Sequence, residues 1–111
     1  MRGLPRRARA MYDKIAPRYG EITDDLLFGE IWDRPELTHR ERSLCVIAAL
    51  TALYRTDQIR AHVQLGLNNG CTQDEIAEVM LMMAFYASWP CAGNALRVAS
   101  EVFEERAAKD A

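Results

Sequence analysis

Apolar residues recur along the chain at the spacing of helices, and no segment alternates apolar and polar residues for long. Strict alternation is typical of a half-buried strand, whereas apolar residues three and four positions apart are typical of one helix face. Stretches with proline, glycine and capping residues separate the helical segments. The pattern therefore predicts an all-α fold, a small helical-bundle subunit with one domain over residues 1–111.

The N-terminal third predicts two short helices and a connector. The first helix is basic, follows Pro5 and extends to about Lys14. The second can open at Pro17, because proline is tolerated in the first turn. The second helix carries the apolar residues Tyr19, Ile22, Leu26 and Leu27. Residues 29–37 include glycine, proline and tryptophan, which indicates an ordered connector rather than a domain linker.

The rest of the chain predicts four longer helices with recognisable boundaries. Residues 38–41 and 72–75 both have the capping-box form, in which a threonine and a glutamate satisfy each other's backbone amides, so a helix is expected to begin at each. Thr56 is expected to cap a helix that ends at Gly70, since glycine is common just after a helix. Pro90 is expected to open the terminal helix.

Two of these helices are apolar on every side, from Leu44 towards Tyr54 and from Val79 to Ala87. A helix without a polar face must be buried all round, which is difficult inside one small subunit. We therefore expect a homo-oligomer larger than a dimer. The alternative is one central helix surrounded by the others within a monomer.

Composition and charge exclude several classes of protein. Fourteen basic and 16 acidic residues give a net charge of −2, so we expect no nucleic-acid partner. The longest apolar run has nine residues, well below the ~18 that a membrane span needs, and no apolar segment follows the basic N-terminus. We expect no membrane partner and a cytoplasmic location. The odd number of cysteines, three, fits neither a disulfide framework nor a metal site, so we expect reduced thiols and no metal.

His62 is the first candidate for chemistry. In the helix from Asp57 to Asn69, the 3.6-residue spacing places a solvent-facing stripe on one side and His62 on the other, beside Val63 and Gly66. A histidine on an apolar face is either a core residue bonded to a carbonyl or a catalytic group. Gly66 indicates that something approaches this face closely, either a ligand or another helix.

The other polar candidates have two interpretations each. Arg42, in the first turns of an otherwise apolar helix, is either solvated or a carboxylate anchor. Glu78 lies where its helix changes from polar to apolar, so it either ends a solvent-facing stripe or orients a buried group. The remaining candidates lie in the connector: Glu30, Trp32, Asp33 and Arg34. Composition and spacing alone indicate no reaction.

Five ordered blocks resemble the carboxymuconolactone decarboxylase family, and especially its 4-carboxymuconolactone decarboxylase branch. The resemblance covers about residues 20–105. The blocks are Gly29-Glu30-Ile31-Trp32-Asp33-Arg34-Pro35; Leu37-Thr38 with Arg40 and Arg42-Ser43; His62 followed by Asn68-Asn69-Gly70; Asp74-Glu75-Ile76 with Glu78-Val79; and Tyr86-Ala87 with Pro90 and Asn94-Ala95.

The resemblance implies a subunit of the alkyl hydroperoxidase D-like fold in a ring-shaped homo-oligomer, commonly a hexamer. It also implies decarboxylation of a small carboxylated lactone, 4-carboxymuconolactone, to the β-ketoadipate enol-lactone in aromatic catabolism, without a cofactor. His62 is then expected to supply a proton or a hydrogen bond to an oxyanion, with Glu30 or Glu78 orienting the ring. The residues assigned to substrate binding are Arg42, Arg34, Trp32 and Tyr86.

Two departures from related patterns refine these expectations. Alkyl hydroperoxidase D-type proteins use a Cys-x-x-Cys pair that begins seven residues before a histidine, and those positions hold Arg55 and Gln58, so a thiol peroxidase is not expected. Ser88 stands where the decarboxylases usually have glycine, which leaves the substrate open. The alternatives are a family relative that acts on another lactone or keto acid in a natural-product pathway, and a non-catalytic helical oligomer in which His62 is structural.

Overall fold

The computed structural model describes residues 7–110, and within that range the fold is all-α, as predicted. A π-helical segment, Ile22–Leu27, and a short 3-10 helix, Ile31–Asp33, lie between α2 and α3. The α-helices are α1 (Ala8–Tyr12), α2 (Pro17–Glu21), α3 (His39–Ala52), α4 (Thr56–Asn68), α5 (Gln73–Tyr86) and α6 (Trp89–Asp110). The predicted role of Pro5 lies outside the described residues.

The described residues form two compact units, one that ends at His39 and one that begins at Arg40. In the first unit, α1 is attached to the π-helical segment by the carboxylate of Asp24, which is 1% exposed. Asp24 accepts hydrogen bonds from the backbone amides of Ala8 (3.2 Å) and Arg9 (3.0 Å). A carboxylate at these first-turn amides satisfies donors that have no partner within the helix. The second predicted helix is found in two parts. Its first part, α2, is α-helical, and residues 22–27 continue it as a π-helix.

The second unit is built around α6, which packs on both α4 and α5. Side chains from α3 to α6 meet in one apolar cluster, and its largest members are at most 1% exposed: Ile47, Ile59, Val63, Ile76, Met80 and Val102. Complete burial of an aliphatic side chain of this size contributes about 1.5–3 kcal/mol. This cluster fixes the face that each helix turns inward.

The predicted helix beginnings are largely confirmed. At α5, the Thr72 hydroxyl accepts from the Glu75 amide (3.0 Å) and the Glu75 carboxylate accepts from the Thr72 amide (2.9 Å), which completes the capping box. Helix α3 begins directly after Thr38, also as predicted. The prediction for Thr56 is wrong, because Arg55 holds the capping position of α4 without a side-chain hydrogen bond.

Helices α3 and α4 end in the same way, with one residue in the left-handed region. In α4 this residue is Gly70 (φ 100°), and the Cys71 amide donates to the Gly66 carbonyl at 2.9 Å. In α3 the corresponding residue is Tyr54 (φ 61°), and the Arg55 amide donates to the Leu50 carbonyl at 2.9 Å. The hydrogen-bond pattern is that of a Schellman motif, in which glycine is the usual residue.

The two strongly apolar helices are not surrounded on every side within the described subunit. In α3, Cys45 and Ala49 are exposed. The junction of α5 and α6 exposes a larger apolar surface that includes Leu81, Met82, Phe85, Tyr86 and Trp89. The Phe85 and Trp89 rings contact each other edge to face, with centroids 5.9 Å apart. No helix between residues 7 and 110 has the length and apolar character needed to cross a membrane.

Candidate functional site

The face of α4 that carries His62 is turned towards the core of the second unit. Its neighbours Ile59 and Val63 are 1% and 0% exposed, and the His62 Nδ1 atom is shielded from solvent. Burial lowers the pKa of His62 below 6.5, because the charged imidazolium loses hydration there. At neutral pH the ring is therefore neutral, with one N–H donor and one acceptor nitrogen.

The opposite face of α4 is polar and attaches the helix to α6. Arg60 forms ion pairs with both Glu101 and Glu105, and its Nη1 atom lies 2.9 Å from Glu105 Oε1. Arg106 Nη2 donates to Asn68 Oδ1 at 3.1 Å. These contacts agree with the predicted solvent-facing stripe.

Helix α3 is the element that packs closely against Gly66. A β-carbon at Gly66 would lie 3.1 Å from Ile47 Cδ1 and 3.6 Å from Ser43 Cβ. The Asn69 side-chain amide donates to Ser43 Oγ at 3.0 Å and joins the same two helices. Gly66 therefore serves helix packing one turn after His62.

Three further predicted residues lie on helices of the second unit. Arg42 is half-buried in α3, and its Nε atom is shielded from solvent, so the arginine is not simply a solvated surface group. Glu78 is exposed on α5, which agrees with its interpretation as the end of a solvent-facing stripe. Tyr86, the last residue of α5, is 78% exposed.

The other predicted residues belong to the first unit. Trp32 is 4% exposed and stacks on Phe28, with ring centroids 6.0 Å apart, so most of its ring is part of that unit's packing. Glu30 and Arg34 are exposed. Arg34 Nη2 lies 3.5 Å from Glu36 Oε1, a long and solvent-accessible ion pair. The sequence-predicted residues thus divide between the two units.

The first unit contains a carboxylate–imidazole pair that no sequence pattern indicates. His39 Nε2 lies 2.8 Å from Asp33 Oδ1, and both side chains are partly exposed. Trp32 contacts the same imidazole edge to face. The two partners are six positions apart across an irregular connector, so helical or strand periodicity provides no signal for the pair.

The cysteines do not provide a thiol centre. All three are free in the structure. Cys71 is buried, with its Sγ atom 3.5 Å from the Arg40 carbonyl, and burial raises the pKa of its thiol, which keeps it protonated and unreactive. Cys45 is exposed and Cys91 is half-buried. Within residues 7–110, no group of three His, Cys, Asp or Glu side chains is placed to hold a metal ion.

Ser88 has a structural role at the start of α6. Its hydroxyl accepts a hydrogen bond from the Cys91 amide at 3.2 Å, the geometry of a serine N-cap. A glycine at this position would lack that hydroxyl. The serine that departs from the usual decarboxylase pattern is therefore explained locally by helix capping.

The all-α fold, the half-buried histidine on α4 and the ordered sequence blocks together define the class of protein. The chain matches the carboxymuconolactone decarboxylase family over residues 17–101, and it belongs to that family.

Its relatives include two decarboxylases. The chain is 44% identical over 78 residues to the 4-carboxymuconolactone decarboxylase of Acinetobacter baylyi, a match that covers 70% of this chain and 58% of that protein. It is 27% identical over 85 residues to a nitrosuccinic acid decarboxylase of Metarhizium robertsii, covering 77% of this chain and 59% of that protein. The chain thus spans less than two thirds of either decarboxylase.

A third relative is a 15.0 kDa protein of Paracoccus denitrificans from the nqo9–nqo10 intergenic region. It is 31% identical over 99 residues, which cover 87% of this chain and 73% of that protein.

Proposed function

We propose that the protein decarboxylates 4-carboxymuconolactone to the β-ketoadipate enol-lactone, a cytoplasmic step of aromatic catabolism. The observation that carries the proposal is the 44% identity to a 4-carboxymuconolactone decarboxylase, in a segment long enough to include most of the chain. The half-buried side chains of His62 and Arg42 give the proposal candidate groups for the chemistry.

The reaction breaks the bond between the lactone ring and one carboxylate. That carboxylate leaves as carbon dioxide, and its bonding electrons pass through the unsaturated ring to the lactone carbonyl, which becomes a dienolate oxyanion. A proton then adds to the α carbon. The substrate ring is itself the electron sink, so a cofactor sink such as pyridoxal phosphate is redundant. The protein must bind carboxylates, stabilise the oxyanion and deliver the proton.

His62 is proposed to donate a hydrogen bond to the developing oxyanion. A neutral imidazole suits this role, because it provides an N–H donor without first taking up a proton from solvent. The buried apolar neighbours Ile59 and Val63 reduce competition from water for such a hydrogen bond. Glu78 is too exposed for us to prefer it as the group that orients His62, and Glu30 retains that role only as a prediction.

Arg42 is proposed to bind a substrate carboxylate. Its planar guanidinium fits a carboxylate with two parallel hydrogen bonds, and partial burial reduces competition from water. Tyr86 is proposed as a more peripheral contact because most of its side chain is exposed.

The proposed reaction is tested by measuring carbon dioxide release from 4-carboxymuconolactone with the purified protein. Arg42→Gln should reduce turnover, whereas Arg97→Gln, which removes an exposed arginine paired with Glu101 on α6, should not. No release above the uncatalysed rate would contradict the proposal. Equal losses in the two variants would remove Arg42 from the proposed site.

A second candidate is decarboxylation of a different small acid, such as another lactone or keto acid from a natural-product pathway. The observation that favours it is the relative that is a nitrosuccinic acid decarboxylase. Testing carbon dioxide release against a panel of carboxylated lactones and β-keto acids separates this candidate from the first.

We also propose that the subunits form a homo-oligomer, with a hexamer as the expected assembly. The support is the exposed apolar surface at the junction of α5 and α6, where Phe85 and Tyr86 are 72% and 78% exposed. Light scattering should give a mass several times the 12.6 kDa of one chain. A mass of one or two chains would contradict the proposed oligomer. Measured turnover would contradict the alternative in which the oligomer is non-catalytic.

A further inference from the structure

Gln58 lies one helical turn before His62 in α4. Side chains four positions apart on a helix are neighbours on its surface, with about 5–6 Å between their β-carbons. The buried residues of α4, which are Ile59, Val63 and Gly66, lie on the opposite side of His62 around the helix. Gln58 is exposed and His62 is half-buried. His62 therefore stands at the border of the core, with the carboxamide of Gln58 next to it on the solvent side.

Both side chains provide a hydrogen-bond donor without carrying a charge. Burial lowers the pKa of His62 below 6.5, so at neutral pH its ring keeps one N–H donor and no charge. The carboxamide of Gln58 has two N–H donors and does not titrate. Oxyanion holes are built from such donors, each about 2.7–3.1 Å from the oxygen, so two donors to one oxygen lie up to about 6 Å apart. Neighbouring side chains one helical turn apart meet this spacing.

We propose that Gln58 is a second catalytic hydrogen-bond donor, which binds the same lactone oxygen as His62. As carbon dioxide leaves, the bonding electrons reach this oxygen, and the two uncharged donors stabilise its negative charge until a proton adds to the α carbon. A glutamate at position 58 would only accept hydrogen bonds and would repel that charge, so the carboxamide suits the step. The role rests on the proposed function, whereas the adjacency of the two side chains rests on the helix.

The first test measures this adjacency without the reaction. Gln58→Glu places a carboxylate one turn before His62, which favours the imidazolium and should raise the pKa of His62. Gln64→Glu, on the solvent-facing side of the same helix, is the matched control and should raise that pKa less. Nitrogen-15 shifts of the imidazole give the pKa, and His39→Gln assigns the signals, since the chain has two histidines. An equal shift in the two glutamate variants would overturn the proposal.

The second test uses a probe that cannot react, a saturated γ-butyrolactone dicarboxylate, whose ring lacks the double bond that decarboxylation needs. The side-chain amide signals of Gln58 are assigned by their absence from the spectrum of Gln58→Ala. Titration with the probe should shift these signals and the His62 ring signals saturably, with one dissociation constant, and should leave the Gln64 amide signals in place. Unshifted Gln58 signals at millimolar probe would overturn the proposal.

The third test separates transition-state binding from substrate binding. Gln58→Ala should lower kcat by about 100-fold, the lower end of the range for one oxyanion donor, because Gln58 is exposed. KM should change little, since the contact strengthens only as the charge develops. Gln58→Glu should lower kcat at least as far, and Gln64→Ala should leave both constants unchanged. A raised KM with unchanged kcat in Gln58→Ala would overturn the proposal.

The outcomes also separate this donor from the proposed reaction. Saturable shifts of Gln58 and His62 without carbon dioxide release support the paired contact and contradict the reaction. Carbon dioxide release with equal turnover in Gln58→Ala and Gln64→Ala supports the reaction and contradicts the role of Gln58.

Discussion

Replacing Gly66 with alanine tests whether the close contact one turn after His62 belongs to helix packing. The new β-carbon would lie 3.1 Å from Ile47 Cδ1, closer than the ~3.5–4.0 Å that two carbon atoms prefer. Ile47 is fully buried, so it has little room to move. Overpacking a core costs about 1–3 kcal/mol, while alanine gains about 1 kcal/mol over glycine in helix propensity. We expect a net loss of about 0–2 kcal/mol in the free energy of unfolding.

The design includes a compensating variant and a control. Ile47→Val removes the crowded Cδ1 atom and alone costs about 0.5–1.5 kcal/mol. In the double variant the alanine methyl occupies part of that space, so the pair should be at least about 1 kcal/mol more stable than additivity predicts. A β-carbon at Gly93, on α6, would have no neighbouring atom within 4 Å, and Gly93→Ala should stabilise by up to about 1 kcal/mol.

The assay is denaturant unfolding at one fixed protein concentration, because assembly changes apparent stability. Additive effects of Gly66→Ala and Ile47→Val would refute the packing argument. So would a stabilisation by Gly66→Ala as large as that by Gly93→Ala.

Three further variants test local features. Tyr54→Gly should raise the free energy of unfolding by about 1 kcal/mol, because it relieves a left-handed tyrosine. Gly70→Ala, at the equivalent end of α4, should lower the free energy of unfolding by a similar amount. A loss of stability in Tyr54→Gly or a gain in Gly70→Ala, measured by denaturant melts, would contradict this. Ser88→Ala should lower the free energy of unfolding by about 1 kcal/mol, and Ser88→Gly by only a few tenths of a kcal/mol. Equal shifts of the melting temperature in the two variants would exclude the capping role. Because the folded-state pKa of His62 lies below 6.5, the unfolded chain takes up the proton first, and stability should fall as pH drops below 6.5 by at most about 1.4 kcal/mol per pH unit. His62→Gln should reduce that slope, and an unchanged slope would show that His62 is not the group responsible.

Much of the fold was predictable because the signals were local. The capping box at 72–75 and the glycine at position 70 act within one helical turn, and both appear as the sequence indicates. Tyr54 occupies the same helix-end position as Gly70, but a tyrosine carries no such signal, because local preference opposes the conformation that the surrounding chain imposes. The π-helical segment at 22–27 carries no local sequence signal either, and its Asp24 caps backbone amides that are distant in the sequence.

The candidate site was predictable only in part. Amphipathic spacing was sufficient to place His62 on the side of α4 that also carries the buried Ile59 and Val63. Partial burial there lowers the pKa of His62 by desolvation. The partner of Gly66 was not predictable, because Ile47 approaches from another helix. The Asp33 and His39 pair was not predictable either, since it forms across an irregular connector, where no periodicity relates two side chains.

The measurement that tests the central claim most directly is turnover of 4-carboxymuconolactone per folded subunit, for the wild-type chain and for His62→Ala. The wild-type protein should release carbon dioxide, and the variant should retain its fold while turning over about 100-fold or more slowly, the usual cost of losing an oxyanion donor or general acid. Melting temperature reports the folded fraction. A variant that melts early but turns over at the wild-type rate per folded subunit would contradict the account and make His62 a core residue.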